Sequence, residues 1–177
     1  MSKSQTILVT GATSGTGRDA VFNLLAAGHR VVATGRNQAA LDEIVREVGN
    51  DRVLALRLDV TSSESIEAAV RAVDAWTGGR GLDALVNNAG YGALGPSVEA
   101  SDDELRGMYE TNVFGLMAMI RAFSPKMMAR RDGTIINVSS IGGRFTLPFF
   151  GAYNSTKYAV ESLSDALRRE LAPFGVR

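Results

Sequence analysis

Tyr153 and Lys157 stand four residues apart, a spacing that sets both side chains on one face of a helix, one turn from each other. An ammonium beside a phenol stabilises the phenolate. A phenol so placed can protonate a developing alkoxide, or take the proton of an alcohol. Ser140, upstream of the pair, carries a hydroxyl that can donate to an oxygen as charge builds on it. In isolation, a Tyr/Lys pair at this spacing is also an ordinary helix surface.

A second constellation lies near the amino terminus, in Gly11-Ala12-Thr13-Ser14-Gly15-Thr16-Gly17. A phosphate needs close approach to the amides at a helix start, and any side chain larger than hydrogen obstructs it. Gly11, Thr13, Ser14, Gly15, Thr16 and Gly17 are therefore candidate diphosphate contacts. The spacing G-x-x-x-G-x-G is one residue longer in its first interval than the usual dinucleotide fingerprint, and no Gly-Lys-Ser/Thr follows, so the turn is not a Walker loop. A bare glycine-rich turn is the alternative. Where an NAD site carries a carboxylate for the ribose hydroxyls, this chain has Gly35 and then Arg36. A guanidinium can pair with a 2′-phosphate that a carboxylate would repel, which favours NADP over NAD while leaving NAD open. Asp59 can accept from an adenine amino group, or serve simply as a turn or cap residue.

These groups need elements to hold them. Thr6 to Thr10 reads as a strand entering the glycine turn, and Gly15 to Ala27 as a helix stopped by Gly28. Strands follow at Arg30–Thr34, Val53–Leu58, Leu82–Val86 and Thr134–Val138. Between them run helices carrying Leu41, Ile44, Val45 and Val48, then Ile66, Ala69, Val70 and Val73, the second capped by Thr61 or Ser62. Ser101 opens a further helical region, a long helix is expected from about Asn112 to Arg130 with Pro125 inside it, and a last one from about Ala152 to Leu171. Strand and helix alternate five times, the pattern of a parallel sheet covered on both faces. The expected fold is α/β: a three-layer, Rossmann-type doubly wound sheet forming a single domain over residues 1–177.

Composition narrows the chemistry. Nineteen basic side chains balance nineteen acidic ones among 177 residues, so a strongly basic nucleic-acid binder is not expected. With no cysteine, disulfides, thiolate nucleophiles and cysteine-ligated metals are excluded, and the single histidine, His29, removes every histidine-pair metal motif. The stretch MSKSQTILVTG is too short for a signal-peptide core, and no apolar run approaches a membrane span. A soluble, cytoplasmic protein is the expectation. Trp76 and the methionines Met117, Met119, Met127 and Met128 read as packing residues.

Taken together, Thr10-Gly11-x-x-x-Gly15-x-Gly17, Asp59-Val60, Asn87-Asn88-Ala89-Gly90, Asn112, Ser139-Ser140 and Tyr153-x-x-x-Lys157 closely resemble the classical short-chain dehydrogenase/reductase family. The resemblance implies that Tyr153 is the acid/base and that Lys157 lowers its pKa and binds the nicotinamide ribose. It implies that Ser140 holds the substrate oxygen, and that Asn112 kinks its helix and keeps a water for proton relay. Asp59 and Val60 would contact the adenine, while Asn87, Ala89 and Gly90 would line the cofactor and steady the central strands. The run through Gly92 and the segment from Tyr153 to Arg177 resemble the branch acting on steroids, retinoids and related hydroxy or keto compounds. The resemblance also implies pairing of subunits through the helices bearing Asn112 and Tyr153.

Relative to that family, the chain stops at Phe174-Gly175-Val176-Arg177, where a sixth strand should begin. In the order 3-2-1-4-5-6, the stretch Ile135 to Val138 should then be an open apolar edge. The expected function is an NADP-dependent oxidoreductase interconverting a secondary alcohol and a carbonyl. The alternative is a non-catalytic dinucleotide-binding remnant or interaction module.

Overall fold

The computed structural model describes residues 4–49 and 51–177. Five parallel strands form one sheet: β1 (Thr6–Val9), β2 (Arg30–Gly35), β3 (Val53–Arg57), β4 (Ala84–Asn87) and β5 (Thr134–Asn137), in the order β3-β2-β1-β4-β5. The register sets Leu8 opposite both Val32 and Leu85, and Asn87 opposite Asn137. Helices α1 (Gly15–Ala26) and α2 (Gln38–Val48) cover one face. Helices α3 (Ser63–Thr77), α5 (Leu116–Arg130) and α6 (Gly151–Leu171) cover the other, and the short α4 (Asp102–Tyr109) precedes α5. This is the expected Rossmann-type fold.

Period-two strands divide the core between the faces. Val9, Val31 and Ala33 pack with Val21 and Leu25 of α1 and Leu41 and Ile44 of α2. Leu8, Val32 and Leu85 pack with Ile66 and Val73 of α3, Met119, Phe123 and Met127 of α5, and Val160 of α6. Two of the four α5 methionines are therefore core residues. Trp76 packs at the margin, with the Arg30 guanidinium 3.9 Å above its ring. The reversal of strand order between β1 and β4 opens a crevice at the carboxyl ends of the strands, where doubly wound sheets bind ligands.

Local chemistry accounts for the helix starts. Asn37 accepts from the Ala40 amide to cap α2, Ser62 accepts from Ser65 to cap α3, and Ser101 with Glu104 forms a reciprocal capping box on α4. At α1 the cap residue, Ser14, makes no such bond, and the first turn carries no acidic side chain. Ser14, Thr16 and Gly17 of that turn line the crevice instead.

Two expectations change. The long helix does not begin at Asn112: α4 runs through a π-helical turn, Glu110–Gly115, directly into α5. Such turns widen the helix locally and turn side chains out of register. Pro125 lies inside α5 without ending it. The edge beyond β5 is also less open than expected. Val176, buried, bridges Gly133 in parallel, the Ile135 amide donates to the Arg177 carbonyl at 2.7 Å, and the Arg177 amide donates to Gly133 at 3.1 Å. Two residues thus already pair along the start of β5, while Ile136, at 49% exposure, stays uncovered. No helix among the described residues is long and apolar enough to cross a membrane.

Candidate active site

A cavity of about 460 Å³ occupies the crevice. Gly11, Thr13, Ser14, Thr16 and Gly17 line it from the first turn, Arg36 from the end of β2, and Asp59 and Val60 from beyond β3, with Ala89 and Gly90 following β4. Besides Tyr153 and Lys157, which were also cofactor candidates, two of the candidate cofactor residues stand apart from this lining. Gly15 has a left-handed φ of +51° with open space over its α-carbon, and Asn87 is buried within the sheet. The Asn87 side-chain Nδ2 donates to the Asn137 Oδ1 at 3.0 Å, and its own Oδ1 has no partner among the described residues.

The glycine turn is held against the loop after β4 by polar bonds that the sequence motifs did not reveal. The Thr10 hydroxyl accepts the amides of Asn88 and Ala89 at 3.0 and 2.9 Å. In return the Asn88 side chain donates to the carbonyls of Thr10 at 3.0 Å and Gly11 at 3.3 Å. A Cβ on Gly11 would lie 2.9 Å from the Ala89 α-carbon, so only glycine admits this approach. Gly35 is likewise required by Thr13, whose methyl group would stand 2.6 Å from a Cβ there.

Electrostatics along the far wall are specific. Arg36 is exposed and free of any carboxylate in its own loop. The Thr61 backbone amide, against some opposing burial, holds the Asp59 carboxyl below the usual range, helped by the Thr61 hydroxyl and by the charges of Arg36 and Arg57. Both bonds from Thr61 fall on one carboxylate oxygen, at 3.0 Å from the amide and 2.8 Å from the hydroxyl. Asp59 is thus a turn residue and a wall of the cavity at once.

The four candidate catalytic residues lie outside this cavity, across Gly90 from it. A Cβ at Gly90 would stand 3.0 Å from the Asn112 Oδ1 and 3.7 Å from the Lys157 Nζ, so this glycine joins the two regions. Lys157 is buried, its Nζ donates to the Val138 carbonyl at 2.8 Å, and it sits 5.8 Å from the centre of the half-buried Tyr153 ring. Burial pushes the Lys157 pKa down from its ordinary value. Ser140 caps the short 3₁₀ turn Ile141–Gly143 and accepts the Gly142 amide at 3.0 Å, which leaves its own proton available to donate. Asn112 accepts the Tyr91 amide at 3.0 Å and donates to the Tyr91 carbonyl at 2.8 Å and to the Thr156 hydroxyl at 3.0 Å. Its side chain ties the π turn to the β4 loop and to α6 with both amide hydrogens and one lone pair of Oδ1. Thr156 and Tyr91 are supporting residues that spacing alone could not supply.

Comparison with known proteins agrees with this geometry. Residues 5–177 match the family model described as short chain dehydrogenase. The short-chain dehydrogenase cctT of Talaromyces islandicus is 40% identical over 174 residues, which make up 98% of this chain and 60% of that protein. Among solved structures, a short-chain dehydrogenase from Streptomyces avermitilis superposes with a TM-score of 0.92 at 42% identity, over 98% of this chain and 63% of that one. The closed form of a serine dehydrogenase complexed with NADP+ superposes with a TM-score of 0.91 at 37% identity, over 97% and 68%. The chain spans about three fifths of the length of the curated relatives it matches. With its motifs, its sheet order and its matched length, the chain belongs to the short-chain dehydrogenase family.

Proposed function

We propose that this chain carries the cofactor site and proton-transfer residues of an NADP-dependent oxidoreductase that interconverts a secondary alcohol and a carbonyl. The observation that carries the reading is the junction at Gly90, where the glycine-lined cavity meets the buried ammonium of Lys157 and, one turn earlier on α6, Tyr153.

The residues present fit a nicotinamide dinucleotide. Open space over Gly15 and the uncapped amides of α1 suit a diphosphate. Arg36 at the mouth suits a 2′-phosphate. The second Asp59 oxygen, which accepts nothing among the described residues, suits an adenine amino group. When bound, the nicotinamide would give a hydride to the substrate carbon or take one from it.

The chain's own groups do the rest. Tyr153 delivers a proton to the substrate oxygen in reduction and removes one in oxidation. Ser140 donates its free hydroxyl hydrogen to that same oxygen. Lys157 supports the phenolate by its charge and offers donors to the nicotinamide ribose. Because both Asn112 amide hydrogens go to Tyr91 and Thr156, a relay water would donate to the second lone pair of Asn112 Oδ1 or to main-chain carbonyls of the π turn.

NADPH oxidation over a panel of ketones, with NADPH binding followed in parallel, tests the reading. Wild-type turnover that is lost in Tyr153→Phe with binding retained supports it. Binding without turnover by the wild type would favour the non-catalytic alternative.

A further inference from the structure

Gly90, Tyr91 and Gly92 form a strap between the cofactor cavity and α6, and their contacts alternate in direction. The Tyr91 side chain turns toward α4, its hydroxyl 2.7 Å from where a Cβ on Gly107 would lie. Gly90 and Gly92 face the other way. The Gly90 position looks onto Asn112 and Lys157, whereas a Cβ at Gly92 would lie 2.7 Å from Tyr153 Cδ2, 2.9 Å from its Cγ and 3.3 Å from its Cβ. The strap cannot retreat to make room, because Asn112 holds both the amide and the carbonyl of Tyr91. Nor are the clashing ring atoms the free end of a flexible chain: they are the root of the phenol. Relief to ordinary contact at 3.4 Å requires the ring to back away by about 0.7 Å.

Conformation does not account for the glycine. Gly92 is absent from the residues with positive φ, so alanine can adopt its backbone without strain. The missing side chain is needed for space, and the space is filled by Tyr153.

Resting on the assignment of Tyr153 as the acid/base, we infer that Gly92 is a positioning residue: the strap clamped by Asn112 is the wall that sets where the Tyr153 hydroxyl points, and it can do so only without a side chain at 92. Displacement of a reacting group by about 1 Å costs on the order of a hundredfold in rate. Gly92→Ala should therefore lower kcat about ten- to a hundredfold, while NADPH affinity stays at its wild-type value and the overpacking lowers the unfolding midpoint by only a few degrees.

Gly95→Ala is the matched control, since a Cβ there meets nothing within 4 Å, and it should turn over normally. A residue acting through Tyr153 must also lose its effect when the phenol proton is gone. Gly92→Ala added to Tyr153→Phe should change the residual rate by less than about twofold, the non-additivity of coupled sites. Wild-type turnover in Gly92→Ala, or a loss of NADPH affinity in step with kcat, would overturn the inference. If turnover survives Tyr153→Phe, the acid/base reading itself fails and takes this inference with it. Loss in Tyr153→Phe with normal Gly92→Ala turnover removes this inference alone.

Discussion

The ammonium of Lys157 donates to the main-chain carbonyl of Val138 at 2.8 Å, which ties α6 to the chain just past β5 and two residues before Ser140. With the bond from the Asn137 side chain to the Ser164 hydroxyl at 2.9 Å, the Lys157 bond ties together the elements carrying Tyr153 and Ser140. Burial makes the Lys157 charge costly, and that cost is opposed by this hydrogen bond. Lys157→Met should remove both. The expected stability change is small, within about 2 kcal/mol, because the lost bond is offset by relief of the buried charge. NADPH affinity and turnover should both fall steeply. Denaturant unfolding beside cofactor titration checks the split.

Cofactor choice should rest on Arg36. It lines the cavity with its charge exposed, and the Asp59 carboxylate across from it is already engaged by Thr61. Arg36→Asp should weaken NADPH by roughly ten- to a hundredfold, since about 1.4 kcal/mol corresponds to a factor of ten and a charge-assisted pair becomes a repulsion. NADH affinity should change by less than about threefold. Titration of both cofactors against both proteins decides it, and equal weakening would assign Arg36 to the fold.

Acid stability should depend on Asp83, just before β4. Burial pushes its pKa up, but the Thr6 amide, the Arg80 hydrogen bond and the charges of Arg80 and Arg130 together outweigh burial and hold it below 3.8. Its carboxylate accepts the Thr6 amide at 2.8 Å and Arg80 at 2.5 Å, which joins the starts of β1 and β4. For a carboxyl depressed on folding, the stabilisation is complete above the unfolded pKa and disappears as pH falls through the folded one. Asp83→Asn should cost roughly 1–3 kcal/mol at neutral pH. The gap from wild type should close as pH drops below about 4. Urea unfolding at several pH values measures both.

The strand–helix alternation was legible because hydrophobic period and caps are local signals, and Ser62 and Ser101 cap helices as their side chains imply. The sheet order followed from the doubly wound pattern of the family that the motifs resemble. The resemblance placed a kink at Asn112, but its form, a π turn, was not legible. It depends on Asn112 reaching Tyr91 and Thr156, which lie 21 and 44 residues away along the chain. The same holds for Thr10, whose hydroxyl gathers amides 78 and 79 residues distant. The motif around Asn87 pointed to the right loop, yet Asn88 is the residue that bridges to the glycine turn. The open edge was expected along the whole of β5, and the pairing of Arg177 with Ile135 and Gly133 covers its first part. Each miss is a polar bond between distant segments, which periodicity cannot encode.

The most direct test of the account is the fate of the hydrogen at nicotinamide C4. NADPH doubly deuterated at that carbon is supplied with a ketone that the protein reduces, and the alcohol is weighed by mass spectrometry. The account predicts an alcohol carrying one deuterium on the former carbonyl carbon, and its disappearance in Tyr153→Phe although that variant still binds NADPH. An unlabelled alcohol, or a labelled one formed at the wild-type rate by Tyr153→Phe, would contradict it.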